Sequence, residues 1–133
     1  MIDQWEEFTG GPAKPAEKRL HVSLNAKGQF LLNKNVLDAL GNPEAVRLFF
    51  SERTNRIGIR AAEAFTPHAF PVRPRALAHS RLIHASPFCR NHGLKVKSTI
   101  AFNRIEINDE AMLILDLAHT SRVSRVSGQN SLQ

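Results

Sequence analysis

An internal repeat constrains this chain more than any other feature of its sequence, because one apolar pattern returns 52 positions later without a gap. The first copy carries Phe30, Leu31, Val36, Leu37 and Gly41, and the second carries Leu82, Ile83, Phe88, Cys89 and Gly93. Each copy alone is too small to bury its apolar faces. The repeat therefore predicts one shared core, in which the two units pack about a pseudo-twofold axis as two subunits of a homodimer do.

The same alignment extends into the segment behind the repeated glycines. At the same shift, Leu48 falls on Ile100 and Phe50 falls on Phe102. Four additional residues in the second copy then bring Ile57 onto Leu113 and Ile59 onto Leu115. We therefore expect each unit to end in a β-hairpin, with the extra length in the hairpin of the second unit.

Local signals predict the elements of the first unit. The alternating residues 21–24 and the apolar residues 30–32 are typical of short strands, joined by a turn in which Gly28 can take a positive φ. Asn33 suits a helix N-cap, and Gly41 suits a left-handed C-cap after an apolar stripe at helical spacing. Strands are then expected at 46–50 and 56–60, on either side of a polar turn.

The second unit repeats this order. Residues 81–83 are strand-like, Ser86 is the expected N-cap with Pro87 at the first helical position, and Gly93 ends the helix. We expect one strand over 98–104, a turn at Asn108 and a final strand over 111–117.

The chain divides into three parts on this basis. Residues 1–19 form a leader, residues 20–117 a single domain, and residues 118–133 a disordered tail, because the tail shows no periodicity. The domain holds a unit at 20–60, a second unit at 80–117 and a linker at 61–79. Three prolines in this linker favour extended backbone. The predicted fold class is mixed α/β and mainly β.

The leader begins with an acidic, amphipathic stretch. Trp5 and Phe8 are spaced three apart, which places both on one face of a short helical turn. We expect them to cover an apolar edge of the core.

The overall charge is compatible with two interpretations. The formal net charge is +6 and the pI is near 10.3, values that are typical either of a nucleic-acid-binding protein or of a basic solvated surface. No apolar run is long enough to span a membrane, and the single Cys89 fits a reducing compartment. We therefore expect a cytoplasmic protein without a membrane partner.

Signatures of catalysis and of cofactor binding are not found in the sequence. It contains no phosphate-binding glycine loop, and zinc needs three or four closely spaced ligands that Cys89, His84 and His92 do not supply. The sequence offers no acid near Cys89 that would orient a histidine for nucleophilic catalysis. We therefore expect no enzyme activity, no cofactor and no metal.

Residues 25–41, Asn-Ala-Lys-Gly-Gln-Phe-Leu-Leu-Asn-Lys-Asn-Val-Leu-Asp-Ala-Leu-Gly, resemble the core of the AbrB/SpoVT-type swapped-hairpin domains. The resemblance covers 20–60 well and 80–117 weakly. It implies a double-split, swapped-hairpin β-barrel formed by two tandem pseudo-symmetric units, as in the MraZ-like proteins. It also implies a transcription regulator that binds double-stranded DNA. Gln29 stands where the family has an arginine, and Asn33 where it has a proline.

The candidate DNA-binding residues are the basic side chains at or near the family's contact positions. They are Lys27, Lys34, Arg73, Arg75, Arg81 and Arg90. Because the second unit carries Arg81 and Arg90 and the linker adds Arg73 and Arg75, we expect the second unit to carry the larger share of the contact.

The alternative function is a protein-interaction module that has the fold without the DNA contact. Its partner would be bound through the leader or the tail 118–133. A homo-oligomer remains open under both hypotheses.

Overall fold

A computed structural model describes residues 4–5, 19–75 and 78–123 of the chain. These residues form a mainly β structure with two short helices, as expected. The helices are α1 (Lys34–Ala39) and α2 (Ser86–Asn91). The strands are β1 (Val22–Leu24), β2 (Gln29–Leu32), β3 (Ala45–Ser51), β4 (Arg56–Ala62), β5 (Phe70–Pro71), β6 (Arg73–Pro74), β7 (Arg81–His84), β8 (Ile100–Phe102), β9 (Ile105–Ile107), β10 (Met112–Asp116) and β11 (Thr120–Arg122).

The strands form two antiparallel sheets, and both halves of the chain contribute to each. Sheet A has the order β11-β8-β1-β2-β7-β6, and sheet B has the order β5-β3-β4-β10-β9. At the centre of each sheet, a strand of the first half pairs directly with a strand of the second, β2 with β7 and β4 with β10. The halves are therefore interleaved rather than placed side by side.

The registers of the two central ladders are those of a twofold arrangement. In sheet A, Phe30 pairs with Ile83 and Leu31 pairs with Leu82, so exchanging each residue for its counterpart 52 positions away reproduces the same pairs. In sheet B the corresponding shift is 56 positions, which relates Ile57 to Leu113 and Ile59 to Leu115. Ile57 pairs with Leu115 and Ile59 pairs with Leu113, so the same exchange again reproduces the pairs. Gly58 and Ile114 pair with each other between them, at the symmetric centre of this ladder.

The two helices occupy equivalent places in this arrangement. Both are six residues long and start 52 positions apart. Gly41 and Gly93 follow them with φ values of 86° and 66°, as predicted for left-handed C-caps. The next residue closes each helix in the same way, since Asn42 N donates to Leu37 O and Leu94 N donates to Cys89 O.

The helix starts are not equivalent. The Asn33 side chain accepts a hydrogen bond from Val36 N at 3.0 Å, as expected of an N-cap. In α2 the N-cap is Ala85 instead of the predicted Ser86, and no side chain caps the helix. Ser86 is the first residue of the helix, and Ala85 N donates to Gly28 O just beyond the β2–β7 ladder.

The strand predicted over 98–104 is present as β8, but it does not belong to the second hairpin, because the chain changes sheets between Phe102 and Ile105. β8 pairs with β1 in sheet A, where Phe102 is buried and its ring centroid lies 6.5 Å from that of Phe30. β9 then pairs with β10 in sheet B. The positions equivalent to Leu48 and Phe50 are consequently held by Ile105 and Ile107, and β8 is the insertion.

The strands do not close into the expected barrel. Within the described residues, no strand of sheet A is hydrogen-bonded to a strand of sheet B. β8 takes the free edge of β1 and β5 takes the free edge of β3, so these edges are already paired.

The domain bounds also differ from the prediction. β11 pairs with β8, so residues 120–122 belong to sheet A and not to a disordered tail. The linker 61–79 contains β5 and β6 as short extended segments. Trp5 is 89% exposed and does not cover the core, whereas Phe8, the rest of the leader and residues 124–133 lie outside the described residues.

The core lies between the inner faces of the two sheets and the two helices. Its largest fully buried side chains come from both halves. They are Phe30, Leu24, Leu32, Ile57, Ile59, Ile83, Leu113, Leu115, Val22, Val36 and Val46.

Candidate functional site

The β1–β2 turn of the first half packs against the start of α2 in the second half. Ala85 N donates a hydrogen bond of 2.8 Å to Gly28 O, and a Cβ on Gly28 would lie only 2.8 Å from Ser86 Cα. Gly28 also has a φ of 80°. A residue without a side chain is therefore needed here, both for the turn and for the close approach.

The side chain of Asn25 holds this turn in shape. Its Oδ1 accepts hydrogen bonds from Lys27 N and Gln29 N, each at 3.0 Å, and its Nδ2 donates to Gln29 Oε1 at 2.9 Å. Such a side-chain closure is the common way in which asparagine stabilises a tight turn. The Lys27 side chain consequently projects from a fixed turn beside α2.

Between this turn and α2 lies a depression of about 650 Å³, which we call the α2 groove. Its walls are residues 24–28 together with Ser86, Cys89, Arg90 and residues 93–96. It carries the cations of Lys27, Arg90 and Lys95, and none of its described lining residues is acidic. Within the part of the chain that the structure describes, none of these three cations forms an ion pair.

The floor of the α2 groove is apolar. Leu24 and Cys89 are buried, and Leu94 and Val96 are half-buried. Burial raises the pKa of the Cys89 thiol, so little thiolate forms near neutral pH and the residue is a poor nucleophile. The groove thus combines an apolar floor with the cations of Lys27, Arg90 and Lys95, a combination that suits an anionic or amphipathic group.

The equivalent depression beside α1, the α1 groove, has different chemistry. It measures about 210 Å³ and contains Lys34 and Arg81, but Asp38 stands where α2 has Arg90. Lys34 Nζ lies 2.8 Å from Asp38 Oδ2, and the Asn42 amide donates to Oδ1 at 3.1 Å. These hydrogen bonds from Lys34 and Asn42 hold the pKa of Asp38 below its ordinary value. The ion pair offsets the charge of Lys34, which leaves the α1 groove less attractive to an anion.

The guanidinium group of Arg81 is hydrogen-bonded to nearby backbone carbonyl groups. Its Nη1 donates to Ala78 O at 3.4 Å and to Ser80 O at 3.3 Å, and the residue is half-buried.

A further depression crosses the outer face of sheet A. It measures about 510 Å³, is lined by polar and apolar side chains that include Arg75, and has no acidic group among its described lining. Arg73 pairs with Leu82, another lining residue, so the two side chains share this face. Asn25 lines both this depression and the α2 groove, so the two meet at the β1–β2 turn.

The six predicted residues therefore lie in three places. The α2 groove joins Lys27 of the first unit to Arg90 of the second, the α1 groove joins Lys34 to Arg81, and the outer face of sheet A carries Arg73 and Arg75. Strand pairing thus brings cations of both units into each groove. That the second unit carries the larger share of the DNA contact stays a prediction.

Sequence reasoning missed Lys95, which lines the α2 groove. The alternation of Leu94, Lys95, Val96 and Lys97 was its available signal. Leu94 and Val96 are half-buried, whereas both lysines are exposed.

The described residues lack two further features. No group of three or more His, Cys, Asp or Glu side chains there could hold a metal ion. In the same part of the chain, no helix has the length and apolarity needed to cross a membrane.

Comparison with known proteins yields no relative of this chain. No family model, no curated protein and no solved structure matches it.

Proposed function

We propose that this chain is a DNA-binding transcription regulator of AbrB-like type, with both swapped-hairpin units in one polypeptide. The observation that carries the proposal is the α2 groove, where Lys27, Arg90 and Lys95 surround a depression without an acidic lining residue. A phosphate backbone is attracted to such a group of cations, and each neutralised phosphate releases counterions. The outer face of sheet A extends this acid-free surface toward Arg75.

The architecture supports the family part of the proposal. Each sheet contains strands from both halves, and the central registers repeat under one twofold exchange. This interleaving is what two swapped-hairpin units in one chain require. The proposed protein acts without a cofactor, and its role is binding rather than catalysis.

A salt titration of binding to mixed-sequence duplex DNA tests the proposal. The parent should bind at low salt, with an affinity that falls steeply as salt rises. Replacing Lys27, Arg90 and Lys95 together by alanine should weaken binding and flatten the salt slope by about one unit per lost phosphate contact.

The matched control removes three cations outside the α2 groove, at Arg47, Arg53 and Arg104. All three residues are exposed, and the change in net charge is the same. This control should stay close to the parent in its salt slope. Absence of parent binding at low salt would refute DNA binding, and an equal loss in both variants would refute the α2 groove as its site.

A further inference from the structure

The N-terminal segment is complementary to the α2 groove in both charge and polarity. Residues 2–8 read Ile-Asp-Gln-Trp-Glu-Glu-Phe, which combines three acidic groups with three large apolar side chains. Trp5, the only tryptophan of the chain, is 89% exposed. An aromatic side chain of this size contributes strongly to an interface when it is buried. Because Trp5 is exposed, the groove of its own chain does not hold it.

The α2 groove offers the matching surface. Its apolar floor includes Leu94 and Val96, and its cations are Lys27, Arg90 and Lys95. A volume of about 650 Å³ lies within the range of sites that enclose small organic ligands, so it accommodates aromatic side chains. A cation beside an indole face adds a favourable electrostatic contact.

The α1 groove does not offer this combination. It is about a third of the size, and Asp38 would repel the acidic segment. The N-terminal segment is therefore complementary to the α2 groove and not to the pseudo-equivalent α1 groove.

The point at which the N-terminal segment is attached to the fold allows two chains to exchange their segments. Arg19 is anchored beside α1, where its carbonyl oxygen accepts hydrogen bonds from Asn33 Nδ2 at 2.8 Å and Asn35 Nδ2 at 2.9 Å. The chain from Phe8 to Arg19 comprises eleven Cα–Cα steps and can span up to about 37 Å when extended. This length is sufficient to reach a neighbouring molecule.

We propose that residues 2–8 of one copy of this chain dock in the α2 groove of a second copy, and that reciprocal exchange forms a twofold dimer. The segment binds with its apolar side chains on the floor and its carboxylates at Lys27, Arg90 and Lys95. The proposal does not depend on DNA binding. DNA phosphates and this segment would, however, compete for the same cations.

Trp5 makes the docking directly measurable, because the chain has no tyrosine and no second tryptophan. Its fluorescence and the sedimentation of the full-length chain are followed without DNA over about 1 µM to 1 mM. We expect the emission to shift to shorter wavelength as the chain dimerises, with both signals following one dissociation constant.

Charge reversal identifies the groove. Lys27→Glu with Lys95→Glu should weaken dimerisation at least tenfold, whereas Arg53→Glu with Arg104→Glu changes net charge equally and should leave it within about twofold of the parent. All four residues are exposed, and circular dichroism checks that each variant is folded.

A compensating variant separates lost docking from damage to the fold. Glu6→Lys with Glu7→Lys should also weaken dimerisation, and combining it with Lys27→Glu and Lys95→Glu in one chain should restore it. A parent that stays monomeric would overturn the proposal. So would an emission shift independent of concentration, which indicates docking within one chain, or a dimer in which Trp5 emission does not shift. Failure of compensation would exclude the α2 groove.

Discussion

At the scale of single residues, the contact between Gly28 and Ser86 shapes the candidate site. It lets the first half's turn approach the second half's helix until their backbones nearly touch. Lys27 and Arg90 line the same groove as a result of this approach. A glycine, and not a charged residue, therefore allows these two cations to line one groove.

Replacing Gly28 by alanine should destabilise the fold far more than replacing Gly41. Both glycines have positive φ, at 80° and 86°, so alanine costs about 1–2 kcal/mol of backbone strain at either position. At Gly28 the new Cβ would also lie 2.8 Å from Ser86 Cα, whereas at Gly41 it meets nothing within 4 Å. Urea denaturation of both variants measures the difference. Equal losses of stability would contradict the close approach.

At the scale of secondary-structure elements, the two halves differ by what has been added to them. β8 and β11 extend sheet A beside β1, and β5 extends sheet B beside β3. These additions make the two halves unequal although the central ladders are symmetric. They also cover strand edges that would otherwise be exposed to pairing with other chains.

Ending the chain at Leu117 should remove β11 and reduce stability. The pairs of β11 with β8 would be lost, together with the hydrogen bonds Asn103 N to His119 O and Val123 N to Thr99 O. At a net value near 1 kcal/mol per hydrogen bond, the loss should be about 1–3 kcal/mol. Thermal and urea unfolding of chains 1–117 and 1–123 provide the comparison. If both chains were equally stable, β11 would contribute nothing to sheet A.

At the scale of the whole molecule, the two halves depend on each other for their core. Ile57 and Ile59 of the first half are fully buried in register with Leu115 and Leu113 of the second. Either half alone would expose this apolar ladder and the edge of β2 or β7. The interleaving therefore makes the fold cooperative across the linker.

Separate fragments 1–64 and 65–133 should each be unfolded, and an equimolar mixture should regain the β-sheet structure. The cut lies between β4 and β5, so it leaves every strand intact. Circular dichroism and the denaturant dependence of the mixture test this. Cooperative unfolding by either fragment alone would contradict the shared core.

The local elements and the offset of 52 positions between the two units could be predicted from the sequence, because both are read from caps and apolar spacing within short stretches of the chain. Asn33 as N-cap, positive φ at Gly28, Gly41 and Gly93, and the matching of Ile57 with Leu113 follow from side-chain chemistry and apolar spacing. Gly41 and Gly93 lie 52 positions apart, and they predicted helices with the same separation because a C-cap glycine marks the end of a helix.

Only the tertiary structure decided which edges pair and which cations meet. Nothing local distinguishes β8 from a hairpin strand, since Ile100 and Phe102 are apolar enough for either sheet, and the free edge of β1 selects sheet A. Likewise Lys27 and Arg90 are far apart in sequence, and they line one groove because β2 and β7 run antiparallel beside each other. Sequence periodicity specifies the face that an element buries, whereas the available edges and surfaces of the whole fold specify its neighbour.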